Sequence, residues 1–388
     1  MSELGPGGMI AHRHRGGTVN GMEVSATFDV AVIGGGVMGS GTALHLARGG
    51  MRVVLIERGR LCRQASGANA GGMTMHDKPP VMIPYFLRAR ELWETSAEWL
   101  DGDAGYRQTG GFMLAFRDDE VALLENRLDE RRAVGMPIEM VDAKRARAFE
   151  PGLSDHVIRA TYCPLDGYGN STLAGILYHV ALESAGVDIR EETEVSGIEG
   201  GAGAYEVRTA SGVVAARRLV LATGVWLRPM ARWLGLEFPI LCDVKQMMVS
   251  ERLPPIINTV MRTANQRLSV KQVANGTVLF GGGWPAIGDL ARGGVEIIPA
   301  SVVGNIRVAL HAIPALAQAR LVRAWIGLET YVADRMPVIG PLPGMDDAFI
   351  IGGMNGGYTL SPYMTRLLAQ RILGHEPERP LFDPARLL

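Results

Sequence analysis

The chain has 388 residues, of which 47% are hydrophobic and 20% charged, and its net charge is -1. A chain of this length exceeds what one hydrophobic core usually spans, so two domains or one domain with a large insertion are expected. The balanced charge argues against a nucleic-acid partner, and the lack of an apolar run of about 18 residues predicts no transmembrane segment.

The N-terminal stretch and the cysteines indicate the compartment. Residues 1–27 are rich in glycine and polar side chains and have no apolar segment, which predicts a disordered extension and no secretory signal. Cys62, Cys163 and Cys242 form no Cys-x-x-Cys pair. We therefore expect no disulfide framework and no metal site, and we predict a cytoplasmic protein.

The first predicted unit is a strand, a helix and a second strand. The run FDVAVI at 28–33 is typical of a buried parallel strand. The segment VMGSGTALHLARGG has apolar residues at helical spacing and ends in two glycines, which favour a helix stop. The run RVVLIE is the next buried strand, so these residues form one βαβ unit.

Further along the chain, helices are predicted at 81–104, 118–150, 171–185 and 300–318. Strands are indicated at 105–118 and 187–224, and within 240–283 at 240–253, 267–276 and 277–283, by alternating apolar residues and glycine-containing turns. The chain closes with the strand AFIIGG, a glycine-rich turn and a helix.

This pattern predicts an α/β protein with a discontinuous architecture. A Rossmann-type nucleotide-binding domain takes residues from both ends and from the middle of the chain. A mixed or antiparallel sheet that binds the substrate is inserted twice. The predicted boundaries are 28–80, 155–230 and 320–388 for the first domain, and 81–154 and 231–319 for the second.

Three glycines between the first strand and helix satisfy the GxGxxG spacing of a dinucleotide-binding turn. Gly34 permits the tight turn, Gly36 lets the backbone approach a pyrophosphate, and Gly39 lets the helix pack on the strand. Glu57, 18 residues past Gly39, is placed to accept hydrogen bonds from an adenosine ribose. The acid argues against NADP but does not distinguish NAD from FAD.

Three segments resemble the FAD-dependent D-amino acid oxidase and sarcosine/glycine oxidase-like enzymes. The first runs from FDVAVI to ASGANAGGM, where the last residues resemble that family's loop along the flavin pyrophosphate. The others are RRLVLATGVW, and GLETYVADRMPVIGP followed by AFIIGGMNGGYTLSPYMTRLLAQRILG. The resemblance implies FAD in a domain like that of glutathione reductase.

The second glycine cluster, GGMNGGY, then acquires a role. FAD is too long for one cradle, and glycines before a helix allow a second backbone approach at the flavin end, where negative charge develops on reduction. The residues assigned to FAD are Gly34, Gly36, Val37, Met38, Gly39, Glu57, Arg58, Ser66, Asn69, Ala70, Gly71, Gly72, Met73, Val195, Thr223, Gly224, Trp226, Gly327, Gly353, Asn355, Gly356, Gly357, Tyr358 and Thr359.

Non-covalent FAD is predicted. The segment YVADRMPVIG has no cysteine at the place where one relative links its flavin. His76 lies near the flavin loop and is interpreted as a solvated loop residue rather than a point of attachment.

The resemblance implies oxidation of a C–N bond. A hydride passes from the carbon beside the amine to flavin N5, and the resulting imine hydrolyses. This chemistry needs orientation and a shielded pocket more than acid or base groups. Relatives that act on simple amino acids often carry a carboxylate-binding arginine where this chain has Glu329, which favours a secondary or N-substituted amine.

Glu329 is a candidate for the substrate pocket because it matches the arginine position of relatives. Further candidates are Tyr331, Gln246, Met248 and Lys271, which are interpreted as lying on strands of the inserted sheet. Glu329 either faces a cationic amine or is structural. The electron acceptor is oxygen, a quinone or a partner subunit. Three alternatives stay open: an NAD-dependent dehydrogenase, an FAD-dependent 2-hydroxy-acid dehydrogenase, and the flavin subunit of a larger complex.

Overall fold

The structure, a computed structural model, describes residues 17–19, 22–24, 27–289 and 294–388. Most of the predicted extension, 1–27, lies outside these residues. The described part of it consists of two short strands that pair with each other, together with Thr27. Among the described residues, no helix has the length and apolar character needed to span a bilayer.

The helices of the described residues are α1 (Val37–Arg48), α2 (Ala65–Ala68), α3 (Ile83–Glu94), α4 (Ser96–Trp99), α5 (Asp118–Ala133), α6 (Ala143–Phe149), α7 (Ser171–Ser184), α8 (Leu227–Arg232), α9 (Pro299–Ala312) and α10 (Gly357–Ile372). Short 3-10 segments lie at Pro80–Met82, Gly224–Trp226, Pro314–Gln318 and Pro384–Leu387.

The strands of the described residues are β1 (Gly17–Val19), β2 (Met22–Val24), β3 (Phe28–Ile33), β4 (Val53–Ile56), β5 (Gly72–Met73), β6 (Arg107–Gln108), β7 (Gly111–Ala115), β8 (Glu139–Asp142), β9 (Arg159–Cys163), β10 (Gly167–Tyr168), β11 (Asp188–Arg190), β12 (Val195–Gly201), β13 (Ala204–Thr209), β14 (Gly212–Leu221), β15 (Leu241–Arg252), β16 (Val260–Thr263), β17 (Leu268–Gln272), β18 (Thr277–Pro285), β19 (Ile287–Asp289), β20 (Gly294–Glu296), β21 (Leu321–Tyr331), β22 (Val338–Leu342) and β23 (Met345–Gly352).

The first sheet has a parallel centre in the spatial order β23, β14, β3, β4 and β11. Its strands come from the start, the middle and the end of the chain. Alternate residues of β3 enter two different hydrophobic cores: Val30 and Val32 join one, and Ala31 and Ile33 the other. The strand is therefore buried on both faces, which is why its sequence is continuously apolar.

The second sheet has eight strands in the order β21, β15, β18, β17, β16, β7, β9 and β8. Neighbouring strands are antiparallel except for β16 and β7. Helix α9 packs against β18 and β17, and its residues share one core with Met248 and Val270. The two sheets confirm the predicted α/β fold with an inserted mixed sheet.

Some predicted elements were wrong in detail. The single helix at 118–150 is two helices separated by β8, because Gly135 adopts a φ of +89° and Pro137 follows it. The helix at 81–104 ends at Glu94 and is followed by the short α4. Strand β16 has no counterpart among the predicted segments.

The domain boundaries stay a prediction, with one observation that bears on them. Strands β9 and β21 lie within the ranges assigned to the nucleotide-binding domain, yet both pair in the eight-stranded sheet. The chain therefore crosses between the sheets through these strands.

Candidate active site

A large cavity of 1040 Å³ lies between the two sheets. Its wall includes Ile33 and Ile56, which end β3 and β4, and residues of β15, β18 and β21. Ligands of α/β proteins bind beyond the carboxyl ends of parallel strands. This cavity is therefore the candidate functional site.

Most residues predicted to bind FAD lie on this wall, and the following are among its lining residues: Gly34, Gly36, Val37, Met38, Glu57, Arg58, Ser66, Asn69, Ala70, Gly72, Val195, Thr223, Gly224, Trp226, Gly327, Gly353, Asn355, Gly356, Gly357, Tyr358 and Thr359. Gly39, Gly71 and Met73 are not lining residues. Gly71 packs on the backbone of Gly169, and Met73 is buried in the core.

The turn between β3 and α1 is closed by backbone contacts. A Cβ added to Gly39 would lie 1.7 Å from the Gly34 carbonyl oxygen. One added to Gly34, where φ is +100°, would lie 2.6 Å from the Ala222 oxygen. The start of α1 is thus pressed against the strand ends, and its first turn carries no acidic residue. Its free amides and positive dipole end can receive an anion.

Glu57 is held in place by the backbone. Its carboxylate accepts hydrogen bonds from Gly35 N at 2.7 Å and from Gly59 N at 2.8 Å. A carboxylate has about four acceptor positions, so Glu57 keeps capacity for the hydroxyls of a ribose. Beside it, the Arg58 guanidinium carbon lies 3.7 Å from the centroid of the Trp226 ring.

The loop after β4 supplies further polar groups. Ser66 Oγ accepts from Val37 N at 3.1 Å, and Asn69 Oδ1 accepts from Gly71 N at 2.6 Å. Across the cavity wall, the hydroxyl of Thr223 is buried without a hydrogen-bond partner among the described residues. A buried hydroxyl without a partner is costly, so this atom fits a site whose ligand supplies the hydrogen bond.

The second glycine cluster forms the start of α10. Gly353 and Gly356 have φ values of +58° and +76°, a conformation that favours glycine. The first turn of α10 contains no acidic residue. The cavity thus has two helix starts on its wall, one near Glu57 and one at α10, and the residues present fit an extended dinucleotide.

Beyond the start of α10, three charged side chains form the first half of a chamber. Asp77 Oδ2 lies 3.0 Å from Arg262 Nη2, and Asp77 Oδ1 lies 3.6 Å from Lys78 Nζ. Lys78 also donates to Asn355 Oδ1 at 2.5 Å. Burial alone would raise the pKa of Asp77, but Arg262 and Lys78 outweigh it and hold that pKa far below its usual range.

The second half of the chamber is formed by β15 and β21. Lys245 Nζ lies 3.1 Å from Glu329 Oε2 and 3.3 Å from Asp243 Oδ2. Glu329 Oε1 also accepts a long hydrogen bond of 3.4 Å from Gly356 N. Burial acts to raise the pKa of Glu329, yet Lys245, Lys78 and Arg262 lower it below its usual value.

Of the five predicted substrate residues, only Glu329 lines the cavity. Gln246 and Met248 lie on the opposite face of β15 from the lining residues Lys245 and Met247, because successive side chains alternate across a strand. Gln246 instead donates to the carbonyls of Pro285 and Ile298, and Met248 packs in the core.

The other two predicted substrate residues lie behind or beside the wall. The Tyr331 ring stacks under the guanidinium of Arg335, 3.9 Å from its carbon. Lys271 is buried, and a Cβ added to Gly72 would lie 3.8 Å from Lys271 Nζ. Burial lowers the pKa of Lys271 to about 7.

The interpretation of His76 as a solvated residue is wrong. Its side chain is buried, with Nε2 3.1 Å from Asp166 Oδ2 and Nδ1 2.9 Å from Thr161 Oγ1. Arg131 donates to the backbone carbonyls of His76 and Lys78. These contacts fix the segment that carries Asp77 and Lys78 into the chamber.

Sequence reasoning missed most of the chamber. Asp77 and Lys78 directly follow the predicted flavin loop, and that adjacency could have indicated them. Arg262 lies on the unpredicted strand β16, so no signal pointed to it. Among the described residues, no group of three or more His, Cys, Asp or Glu side chains is arranged to hold a metal ion.

Comparisons with known proteins give a consistent result. The family model described as FAD dependent oxidoreductase (DAO) matches residues 29–371. The glycine oxidase of Geobacillus kaustophilus (strain HTA426) is 28% identical over 368 residues, which cover 92% of this chain and 95% of that protein. One of the subunits of the opine oxidase of Rhizobium meliloti is 25% identical over 371 residues, which cover 91% of this chain and 95% of that protein.

A solved structure shows the same fold. L-proline dehydrogenase from P.horikoshii aligns with a TM-score of 0.86 at 24% sequence identity. The alignment covers 93% of this chain and 97% of that chain.

A pair of glycine substitutions separates folding from cofactor binding. Gly39→Ala places a methyl group on the Gly34 oxygen and is expected to cost about 3 kcal/mol or more of stability. A Cβ at Gly327 meets no protein atom within 4 Å. Gly327→Ala should therefore fold normally but bind less FAD, because its methyl group projects from the cavity wall. The measurements are thermal unfolding and the flavin-to-protein ratio.

Gly201→Ala on β12 is the matched control, since its Cβ also meets no protein atom within 4 Å and Gly201 does not line the cavity. Equal flavin content in the Gly201 and Gly327 variants would contradict a cofactor lying against β21.

Substitution of Lys271 should stabilise the protein in a pH-dependent way. The pKa of Lys271 is about 7 in the folded state, against 10.5 for an ordinary lysine. Between these pH values Lys271 is protonated in the unfolded chain and neutral in the folded protein. The contribution of Lys271 to the free energy of unfolding therefore falls as the pH decreases from 10.5 to about 7, and it stays at its minimum below pH 7. Lys271→Met should raise the melting temperature more at about pH 6.5 than at about pH 9.5.

Lys144→Met, at an exposed lysine, is the control for that experiment and should show no such pH dependence. A melting-temperature gain that is the same at both pH values would show that burial does not lower the pKa of the Lys271 amine in the folded protein.

Proposed function

This chain belongs to the FAD dependent oxidoreductase family, and from that premise we propose that it oxidises the C–N bond of an amino acid or an N-substituted amine. The observation that carries the proposal is the continuity of one cavity, which joins the dinucleotide cradle to a chamber of three cations and three anions. A small zwitterion is the kind of molecule that such a chamber suits.

FAD is the cofactor. The residues that would hold its adenosine diphosphate half are Glu57 and the start of α1, and the start of α10 would face the flavin. When bound, FAD supplies an acceptor for the hydride that leaves the carbon beside the amine nitrogen, after which the imine hydrolyses.

We propose that the FAD is bound non-covalently. Cys163 and Cys242 are not lining residues of the cavity. Cys62 does line it, but burial raises the pKa of that thiol to about 12. A protonated thiol is a poor nucleophile, which argues against a cysteinyl link at this position.

The chain's own contribution to the reaction is orientation and shielding. Phe86 and Met82 lie on the cavity wall, and Lys78 Nζ lies 5.6 Å from the centroid of the Phe86 ring. His76 and Lys78 are buried on either side of Asp77, and this segment closes that side of the chamber. Exclusion of water strengthens the charge interactions inside the chamber. The reaction needs a substrate carbon held in one place, and fixed charges on several strands provide that restraint.

A 2-hydroxy acid is the second candidate substrate, because Arg262 and Lys78 would hold its carboxylate equally well. The NAD-dependent alternative is set aside by membership of an FAD-dependent family.

We further propose oxygen, a quinone or a partner subunit as the electron acceptor. The partner subunit is supported by the similarity to one of the subunits of an opine oxidase. A cytoplasmic location stays a prediction.

Anaerobic reduction of the bound flavin tests the substrate class. Sarcosine, proline, glycine and lactate are mixed separately with the purified holoenzyme, and the visible flavin absorbance is followed. We expect at least one of the three amines to bleach it. Bleaching by lactate alone would favour the 2-hydroxy acid, and no bleaching by any of a broad amine panel would contradict the proposed reaction.

A further inference from the structure

The six charges of the chamber are not mixed evenly. Asp77 is shared by two cations, Lys78 and Arg262, so this group carries a net charge of +1. Lys245 is shared by two anions, Asp243 and Glu329, so that group carries a net charge of -1. We call the first group the positive pole and the second the negative pole.

The positive pole retains unused hydrogen-bonding capacity. Arg262 uses one terminal nitrogen on Asp77, while its buried Nε has no hydrogen-bond partner among the described residues. The guanidinium is a fork of donors that matches a carboxylate. An anionic ligand group would satisfy Nε and balance the net charge of the pole.

The negative pole has the opposite character. Two carboxylates share a single lysine, and all three side chains are about one-third exposed to the cavity, at 33% for Asp243, 34% for Lys245 and 31% for Glu329. A cationic amine at this place would bring the pole to neutrality. All six side chains line one cavity. Lys78 donates to Asn355 and the next residue, Gly356, donates to Glu329, so the two poles face one chamber.

We propose that the poles form a dipolar site that orients a zwitterionic substrate, with Arg262 and Lys78 at its carboxylate and Glu329 and Asp243 at its amine. This inference rests on the proposed function and specifies its substrate class. It also assigns Glu329 a role, since an acid replaces the arginine expected there and the carboxylate anchor lies on β16 instead.

The dipolar site would also assist the reaction. As a hydride leaves the carbon beside the amine, positive charge grows on the C–N unit that becomes the imine. Fixed carboxylates near that unit stabilise the developing charge, because they are already oriented before it appears. The nitrogen lone pair forms the new C=N bond, so the bound ammonium would first release one proton, to a carboxylate of the negative pole or to water. The neutral amine would then lose the hydride with its two electrons and become an iminium of charge +1, which hydrolyses after release.

The test uses the purified holoenzyme and two probes that each carry one charge. Acetate has only the carboxylate and propylammonium has only the amine. Binding of each probe is measured from the change in the flavin absorbance spectrum, without turnover. Arg262→Met should weaken acetate binding about tenfold to hundredfold and leave propylammonium binding within about twofold. Glu329→Gln should weaken propylammonium binding and spare acetate.

Arg267→Met is the matched control, because the Arg267 guanidinium lies over the Trp284 ring and Arg267 is not a lining residue. It should leave both probes unchanged. If Arg262→Met does not fold, Lys78→Met carries the same expectation. Equal losses for both probes in both pole variants, or no acetate binding by the unsubstituted enzyme, would overturn the dipolar site.

The outcomes separate this inference from the proposed function. If amines reduce the flavin but Arg262→Met binds acetate normally, the reaction stands and the dipolar site falls. If acetate and propylammonium show the crossed pattern while no amine reduces the flavin, the dipolar site stands and the proposed reaction falls.

Discussion

Backbone contact at the first βα turn is the constraint on which the rest of the site depends. Gly39 and Gly34 leave no space for a Cβ between α1 and the strand ends, so the amides of α1 must open at the edge of the parallel sheet. Strand β14 pairs with β3, and β23 pairs with β14. The start of α10, which follows β23, is thereby brought to the same edge. Two glycine clusters that are far apart in sequence therefore line the same cavity.

The local parts of this arrangement could be predicted from the sequence. A glycine-rich turn between an apolar strand and a helix is specified by a few consecutive residues, and so is the turn before α10. The α/β fold with an inserted sheet was predicted from the order of the strand and helix patterns along the chain. What each of these features requires lies within its own segment, so no knowledge of distant contacts was needed.

The face that each strand presents could not be predicted for the second sheet. A shift of one residue exchanges the two faces of a strand. One face of β15 packs in the core that includes α9, and the other face forms part of the cavity wall. Apolar residues therefore occur on both faces. The run QMM therefore does not indicate which alternate residues face the cavity. Gln246 and Met248 were predicted to line it, whereas Lys245 and Met247 do. The charges of Asp77, Arg262 and Glu329 meet only through the tertiary fold.

Two neighbours of Glu329 stabilise an acid at this position. The start of α10 presents the positive end of a helix dipole, and Glu329 accepts a hydrogen bond from Gly356 N there. An arginine at this position would place a cation against that positive end. The acid is compatible with the helix, and Lys245 on the adjacent strand compensates its burial. Once an acid occupies this position, a carboxylate anchor must come from elsewhere in the chamber. Arg262 meets this requirement, because Asp77 holds its Nη2 while its buried Nε has no hydrogen-bond partner among the described residues.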